Sequence, residues 1–351
     1  MRRDSEYGTR ADRVAGVMLG TAVGDALGAG YEYGSARLGP DGPQMIGGGL
    51  GGFAPGQWTD DTAMAWCVLD VAARGRGLLA DEVLTEVARN FGRWYDSGPP
   101  DIGNQTAAVL RAAGPAPTAA AAREAAGEHF RRSHHSAGNG SLMRTAPVAL
   151  AHLGDTGAII RAATAVSDLT HSDPRTGQAC VLWSLAIDRA VREQVLDLRS
   201  GLAHLDEPDR EFWEARIDEA EQGPPSRFPI NGWVVSALQA SWSAIHHTPV
   251  PEADPGRHLA DSLVTAIEIG GDTDTVAAIA GGLLGARWGA TAVPATWRSM
   301  CHGYPGIGSY ELERLAVDAF LSGPRWFDGD STASAPSPSL PGVRRPRRPT
   351  G

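Results

Sequence analysis

The sequence predicts an all-α protein, and three observations carry that reading. Alanine-rich stretches with apolar residues at helical spacing recur along most of the chain. Strand-like alternation of β-branched and aromatic residues is almost absent. Asp residues stand at or just before several of the apolar runs, where a helix start needs an oxygen acceptor. With 351 residues the chain can build one large core or two ordinary domains. The organisation expected is a flexible N-terminus over 1–12, a single compact helical domain over 13–328 and a disordered tail over 329–351.

Helices are expected, in order, over 13–27, 62–74, 80–94, 118–130, 155–165, 178–193, 208–221, 232–245, 255–269, 275–288 and 312–321, with start signals at Asp81, Asp155 and Asp272. The first run is broken by Gly16, Gly20, Gly24, Asp25 and Gly28, so it reads as neither a signal peptide nor a membrane span of about 20 apolar residues. Two glycine-rich loops, 39–56 and 136–141, give conformational freedom and close backbone approach to a ligand, or serve as plain connectors. Segment 221–229 is a loop between helices. The Pro-, Ser- and Arg-rich tail has almost nothing to bury.

Net charge is −10 with a pI near 5.5, which argues against nucleic acid or an anionic membrane as a partner held by bulk charge. Cys67, Cys180 and Cys301 are isolated and suit small buried hydrophobes better than a disulfide framework or thiolate zinc site. The expected location is the cytoplasm and the default assembly a monomer. All basic residues are Arg, a composition that suggests a GC-rich bacterial genome.

Two acidic clusters, Thr59-Asp60-Asp61 and Asp272-Thr273-Asp274-Thr275, each stand directly before a helical run. Helix capping accounts for one oxygen per helix, not for three or four. Crowded carboxylates stay ionised only if a positive charge offsets their repulsion, and no Lys exists to do so. If the clusters meet in space, an all-oxygen set fits a hard divalent cation such as Mg²⁺ or Mn²⁺ and fits zinc poorly. Asp101, in Asp101-Ile102-Gly103-Asn104, is a helix cap, a base or a site for a cationic group. The segment Gly138-Asn139-Gly140-Ser141-Leu142 is a phosphate cradle or a plain turn. His171 makes a ribose contact or a structural hydrogen bond. The adjacent pairs His134-His135 and His246-His247 read as surface residues.

Seven segments in order resemble the ADP-ribosylglycohydrolase family. They are GVMLGTAVGDALGAGYEYG (16–34), QWTDDTAM (57–64), DIGNQTAAVL (101–110), GNGSLMRTAPVAL (138–150), THSDP (170–174), NGWVVSALQASWSA (231–244) and GGDTDTVAAIAGGLLGARWG (270–289). The resemblance implies one compact orthogonal helical domain with two Mg²⁺ or Mn²⁺ ions in a cleft. Their ligands would be Thr59, Asp60, Asp61, Asp272, Asp274 and Thr275. It further implies that Asn104, Gly138, Asn139, Gly140, Ser141, Leu142 and His171 bind substrate. The stretch 113–137 and the tail depart from the family pattern, which leaves the acceptor open.

The reaction so implied is hydrolysis at the anomeric carbon of ribose, through an oxocarbenium-like centre. The attacking water would lose its proton to a carboxylate, with Asp101 the first choice, Glu32 the second and Asp61 a third. The substrate would be an ADP-ribosylated protein or an ADP-ribose-containing small molecule, with arginine as the acceptor because Asp101 can pair with a guanidinium. The alternatives are a non-catalytic ADP-ribose-binding protein, a phosphohydrolase of nucleotides or phosphate esters, and a structural helical protein without a ligand.

Overall fold

A computed structural model describes residues 2–133 and 136–323, with the backbone course alone for 2–8. Among these residues fourteen α-helices follow one another. They are α1 (Arg2–Gly28), α2 (Asp60–Ala72), α3 (Asp81–Asp96), α4 (Asn104–Ala113), α5 (Ala119–Arg132), α6 (Ala146–Ala151) and α7 (Thr156–Ser167). The remainder are α8 (Pro174–Glu193), α9 (Glu207–Gln222), α10 (Val234–His247), α11 (His258–Glu268), α12 (Thr273–Trp288), α13 (Ala295–Met300) and α14 (Ser309–Ser322). The only strands among the described residues, β1 (His302–Gly303) and β2 (Ile307–Gly308), form a small antiparallel hairpin.

The axis of the fold is the antiparallel pair α1 and α12, in backbone contact along a stripe of small residues. A Cβ on Gly16 would fall 2.4 Å from Gly285 O, one on Gly20 2.1 Å from Gly281 O, and one on Gly24 2.1 Å from Ala277 O. The stripe ends with Gly28 against Asp274, where a Cβ would lie 2.5 Å from the Asp274 Cα. Every-fourth-residue glycines share one helix face, so their spacing is what lets the helices close to this distance. Around this axis α8, α10 and α11 pack on α12, and α14 packs on α1. Trp58, Trp94, Trp183 and Trp213 are the largest fully buried side chains, each removing a large apolar surface from water. The stretch Thr9–Gly34 is apolar and long enough to cross a bilayer by composition, but its apolar window is wholly buried in the protein core.

Several boundaries differ from the expected ones. α1 starts at Arg2, so the segment expected to be flexible is helical, and Asp12 accepts from Thr291 N and Oγ1 at 3.1 and 2.8 Å. α8 starts at Pro174, four residues ahead of its expected start, because Asp173 caps it by accepting from Arg175 N and Pro suits a first helical position. Asp155 caps α7 through Ala158 N at 2.9 Å, whereas Asp81 lies inside α3 and Asp272 makes no capping bond. The six-residue α6 and α13 give too few turns for a periodic signal. His246 and His247 are exposed as expected. His134, His135 and the tail over 329–351 lie outside the described residues.

Candidate active site

The starts of α2 and α12 meet beside the end of α1, which brings the two acidic clusters together. Oxygens of Asp25, Asp61 and Asp274 lie within 4.8 Å of one another, and so do oxygens of Glu32, Asp272 and Asp274. Two triads thus share Asp274. Neither N-cap residue caps its helix: Thr59 and Asp272 make no side-chain bond to the N–H groups that follow, and in α12 it is Asp274 Oδ1 that accepts from Thr275 N at 3.0 Å. α2 is capped instead from α1. Asp25 accepts from Thr59 N at 2.8 Å, Thr62 N at 2.9 Å and Thr62 Oγ1 at 2.6 Å. That fixes the turn carrying Asp60 and Asp61 from outside the cluster, while the Asp60 carboxylate takes a backbone hydrogen bond from Gly103.

The electrostatics are those of a crowded anionic site. Burial pushes Asp60, Asp61 and Asp274 well above the usual carboxylate range, and the neighbouring carboxylates add to it. Burial, then Asp272, raises Glu32 to about 8, and burial raises Asp25 to about 6 against its three hydrogen bonds. Asp61 Oδ1 is buried with no hydrogen-bond partner, and Thr59 Oγ1 donates to its Oδ2 at 3.0 Å. A set of oxygens with an orphaned member and no Arg in the cleft lining fits the demands of a divalent cation.

A cleft of 420 Å³ opens over this cluster. It is lined by Glu32, Asp60, Asp101, Asn104, Gly138, Asn139, Gly140, His171, Asp272, Asp274 and Thr275 among others, so most of the residues singled out in the sequence come together there. Asp61 and Thr59 lie beneath it, both buried. Asp60 is in neither triad and faces Asp101, which contributes to its raised pKa. Ser141 and Leu142 do not line the cleft. Their side chains are buried, with Ser141 Oγ 3.6 Å from Cys180 Sγ, because the turn Asn139–Ser141 points them into the core. Asn139 has a partner within the protein: its Nδ2 donates to Asp272 Oδ2 at 2.7 Å.

His171 is buried beside the glycine wall, with Nε2 toward Gly138 and Gly140; a Cβ on Gly140 would lie 3.3 Å from it. Behind the ring, Nδ1 lies 2.7 Å from Thr170 Oγ1, and Arg144 Nη2 donates to that oxygen at 2.6 Å. Arg144 is fully buried without a carboxylate partner and lies over the Phe91 ring; burial pushes it down to about 10. Burial, with Arg144 nearby, holds His171 well below its ordinary value, so the ring is neutral. The other buried histidines have structural partners: His152 Nε2 accepts from Leu78 N, and His258 Nδ1 from Trp288 Nε1.

Asp25 and Asn231 were not singled out as site residues. Asn231 Oδ1 accepts from Asp272 N at 2.8 Å, and its Nδ2 donates to Phe228 O and Gly270 O at 3.0 and 2.9 Å. It therefore shapes the Gly-Gly turn ahead of α12. The signal for Asp25 was present: one charged residue in an apolar helical run is not buried without partners.

The comparisons with known proteins agree with this arrangement. The profile of the ADP-ribosylglycohydrolase family matches residues 6–328. An ADP-ribosyl-[dinitrogen reductase] glycohydrolase of Rhodospirillum rubrum is 31% identical over 300 residues, covering 82% of this chain and 90% of the relative. An ADP-ribosylarginine hydrolase of Pseudomonas putida is 29% identical over 331 residues, covering 90% and 79% respectively. A solved structure titled an ADP-ribosylglycohydrolase-related protein complex superposes with a TM-score of 0.67 at 27% identity, covering 90% of this chain and 99% of that one. A helical fold, a cleft over two carboxylate triads and a match across nearly the whole chain place this protein in the ADP-ribosylglycohydrolase family, enzymes that hydrolyse the glycosidic bond of ADP-ribose.

Proposed function

We propose that this enzyme releases ADP-ribose from arginine-linked targets and that it works with two Mg²⁺ or Mn²⁺ ions. The observation that carries the metal reading is the pair of carboxylate triads sharing Asp274, with Asp61 Oδ1 left without a partner. Asp25, Asp61 and Asp274 would hold one ion, and Glu32, Asp272 and Asp274 the other, with Thr59, Asp60 and Thr275 beside them. A divalent cation bound there supplies positive charge that offsets the carboxylates, orients ribose hydroxyls and acidifies a nearby water.

The chain's own groups supply the rest. The distal ribose sits over the triads. His171 Nε2 and the backbone at Gly138 and Gly140 contact the ADP-ribose, since glycine there lets a ligand approach closely. Exposed Trp233 lines a neighbouring cavity that adjoins Gly138 and Gly232, and offers a flat face to the adenine ring. As the bond to the acceptor breaks, positive charge grows at the anomeric carbon, and the surrounding carboxylates stabilise it. Asp101 is the first choice to take the proton from the attacking water: it lines the cleft and is partly exposed, whereas Asp61 is fully buried. Glu32, which offers one oxygen to the second ion, is the alternative base through its other oxygen. The arginine linkage draws on the activity named for the Pseudomonas putida relative and on Asp101 as a partner for a guanidinium. We place the enzyme in the cytoplasm as a monomer.

The test is release of free ADP-ribose from arginine-ADP-ribosylated protein with Mg²⁺, with Mn²⁺ and with EDTA, for the wild type and Asp274→Ala. Cation-dependent release that is lost in the variant is expected. Binding of ADP-ribose without release under any condition would point to the binding-protein alternative, and liberation of inorganic phosphate to the phosphohydrolase one.

A further inference from the structure

A second cavity of 400 Å³ adjoins the cleft and shares only Asp60 and Asp101 with it. Its walls are unlike those of the cleft. Phe53, Trp58, Trp94 and Tyr304 contribute rings, and Pro99, Pro100 and Pro305 contribute apolar rims. Among its lining residues there is no Arg, and the two shared carboxylates are its only acidic groups. The Trp58 Nε1 lies in this wall against Gly303, buried and with no hydrogen-bond partner.

We propose that this cavity is the acceptor subsite and takes the guanidinium of the arginine whose bond to ribose is cut. The chemistry of the walls selects that group. Carboxylates at the shared boundary repel a phosphate or a carboxylate, so the diphosphate end of the substrate is excluded. A lysine ammonium is strongly hydrated and loses that water in an apolar cavity, whereas a guanidinium is weakly hydrated, lies flat on aromatic rings and accepts a planar, two-pronged partner. The topology selects it as well. A glycosidic bond joins two groups across one point, so the site needs two chambers meeting there, and Asp60 with Asp101 is where the two cavities meet. Asp101 then faces the scissile bond from the acceptor side, and Asp60 closes the boundary opposite it.

This inference rests on the cleft being the ADP-ribose site, and the experiment separates the two. The full chain, loaded with Mg²⁺, is titrated with N-acetylarginine methylamide, with the neutral citrulline analogue and, in parallel, with ADP-ribose. Binding is read by calorimetry and by the Trp58 indole N–H resonance. The arginine amide is expected to bind saturably, to move that resonance and to bind alongside ADP-ribose, with the citrulline analogue about tenfold weaker or worse. Ser97→Arg, an exposed change at the cavity rim, is expected to weaken the arginine amide about tenfold by like-charge repulsion while ADP-ribose binds as in the wild type. Absence of saturable binding by the arginine amide, equal binding of the citrulline analogue, or full displacement by ADP-ribose would each overturn the subsite. Failure of ADP-ribose itself to bind would instead overturn the reading of the cleft.

Discussion

Thr170 Oγ1 lies 2.7 Å from Nδ1 of His171, and its hydroxyl has only one proton to give. Arg144 already donates to that oxygen, so the Thr170 proton goes to Nδ1 and the His171 proton sits on Nε2, toward the cleft. The alternative tautomer would leave the buried hydroxyl proton without an acceptor. His171 is therefore a neutral donor whose direction is set by Arg144 acting through Thr170. Nitrogen NMR should show Nδ1 as an unprotonated acceptor and Nε2 as protonated. Thr170→Val should mix the tautomers and weaken ADP-ribose binding about tenfold, the worth of one well-placed hydrogen bond. A Nδ1–H signal in the wild type would refute the relay.

Asp25 holds the start of α2 through three hydrogen bonds, two of them from backbone N–H groups. Asp25→Asn should be poorly tolerated despite its matching shape, because its NH₂ would face N–H or hydroxyl donors. Loss of about 2–3 kcal/mol is expected, the cost of leaving buried donors unpaired. Thermal unfolding measures it, and the Mg²⁺-induced rise in Tm should shrink in the same variant. An unchanged Tm would mean that the backbone of residues 59–62 is held by something else.

Without a cation, the pH dependence of stability should run against the carboxylate cluster. Glu32 is raised from 4.5 to about 8 in the folded state, so between those values the folded protein keeps a proton that the unfolded chain has lost. Its contribution is complete below pH 4.5 and is lost as the pH climbs to about 8. In EDTA, Tm should fall across that window; with Mg²⁺ or Mn²⁺ added at pH 8, it should recover. A Tm in EDTA that rises steadily through the window would contradict this charge arrangement.

The α1–α12 contact gives a paired test. A Cβ on Gly285 would lie 1.8 Å from Gly16 O, while one on Gly39 meets nothing within 4 Å. Gly285→Ala should cost about 3 kcal/mol or more by forcing two backbones apart, and Gly39→Ala well under 1 kcal/mol. Denaturant titration of the two variants measures both. The first should also weaken cation binding, because Asp274 lies at the end of the same stripe.

Helical character was legible because alanine-rich runs with helical spacing need no tertiary information, and α3, α9 and α12 begin within two residues of their expected starts. The acidic clusters were legible because four carboxylates exceed what two helix starts require. Their meeting point was not. It depends on Gly16, Gly20, Gly24 and Gly28, which the sequence shows only as interruptions of an apolar run; their partners Gly281 and Gly285 lie more than 250 residues away. Asn139, Ser141 and Leu142 share a loop, yet a single tight turn sends one to Asp272 and two into the core. Spacing along a glycine-rich loop carries no such directional information. Asn231 was missed for a similar reason, since its partners come from segments as far off as Asp272.

The glycine stripe gives the site a one-sided tolerance. α1 and α12 already touch backbone to backbone, so nothing can bring them nearer, and any side chain added between them separates them. Asp25 rides on one helix and Asp274 on the other. Drift at the stripe can therefore only enlarge the oxygen cage they share, which moves it away from a small ion that demands tight octahedral packing and toward a larger, less exacting one. Acceptor preference can vary with the loops at the rim, but the caliber of the cage is pinned at its minimum by residues that have no side chain left to trim.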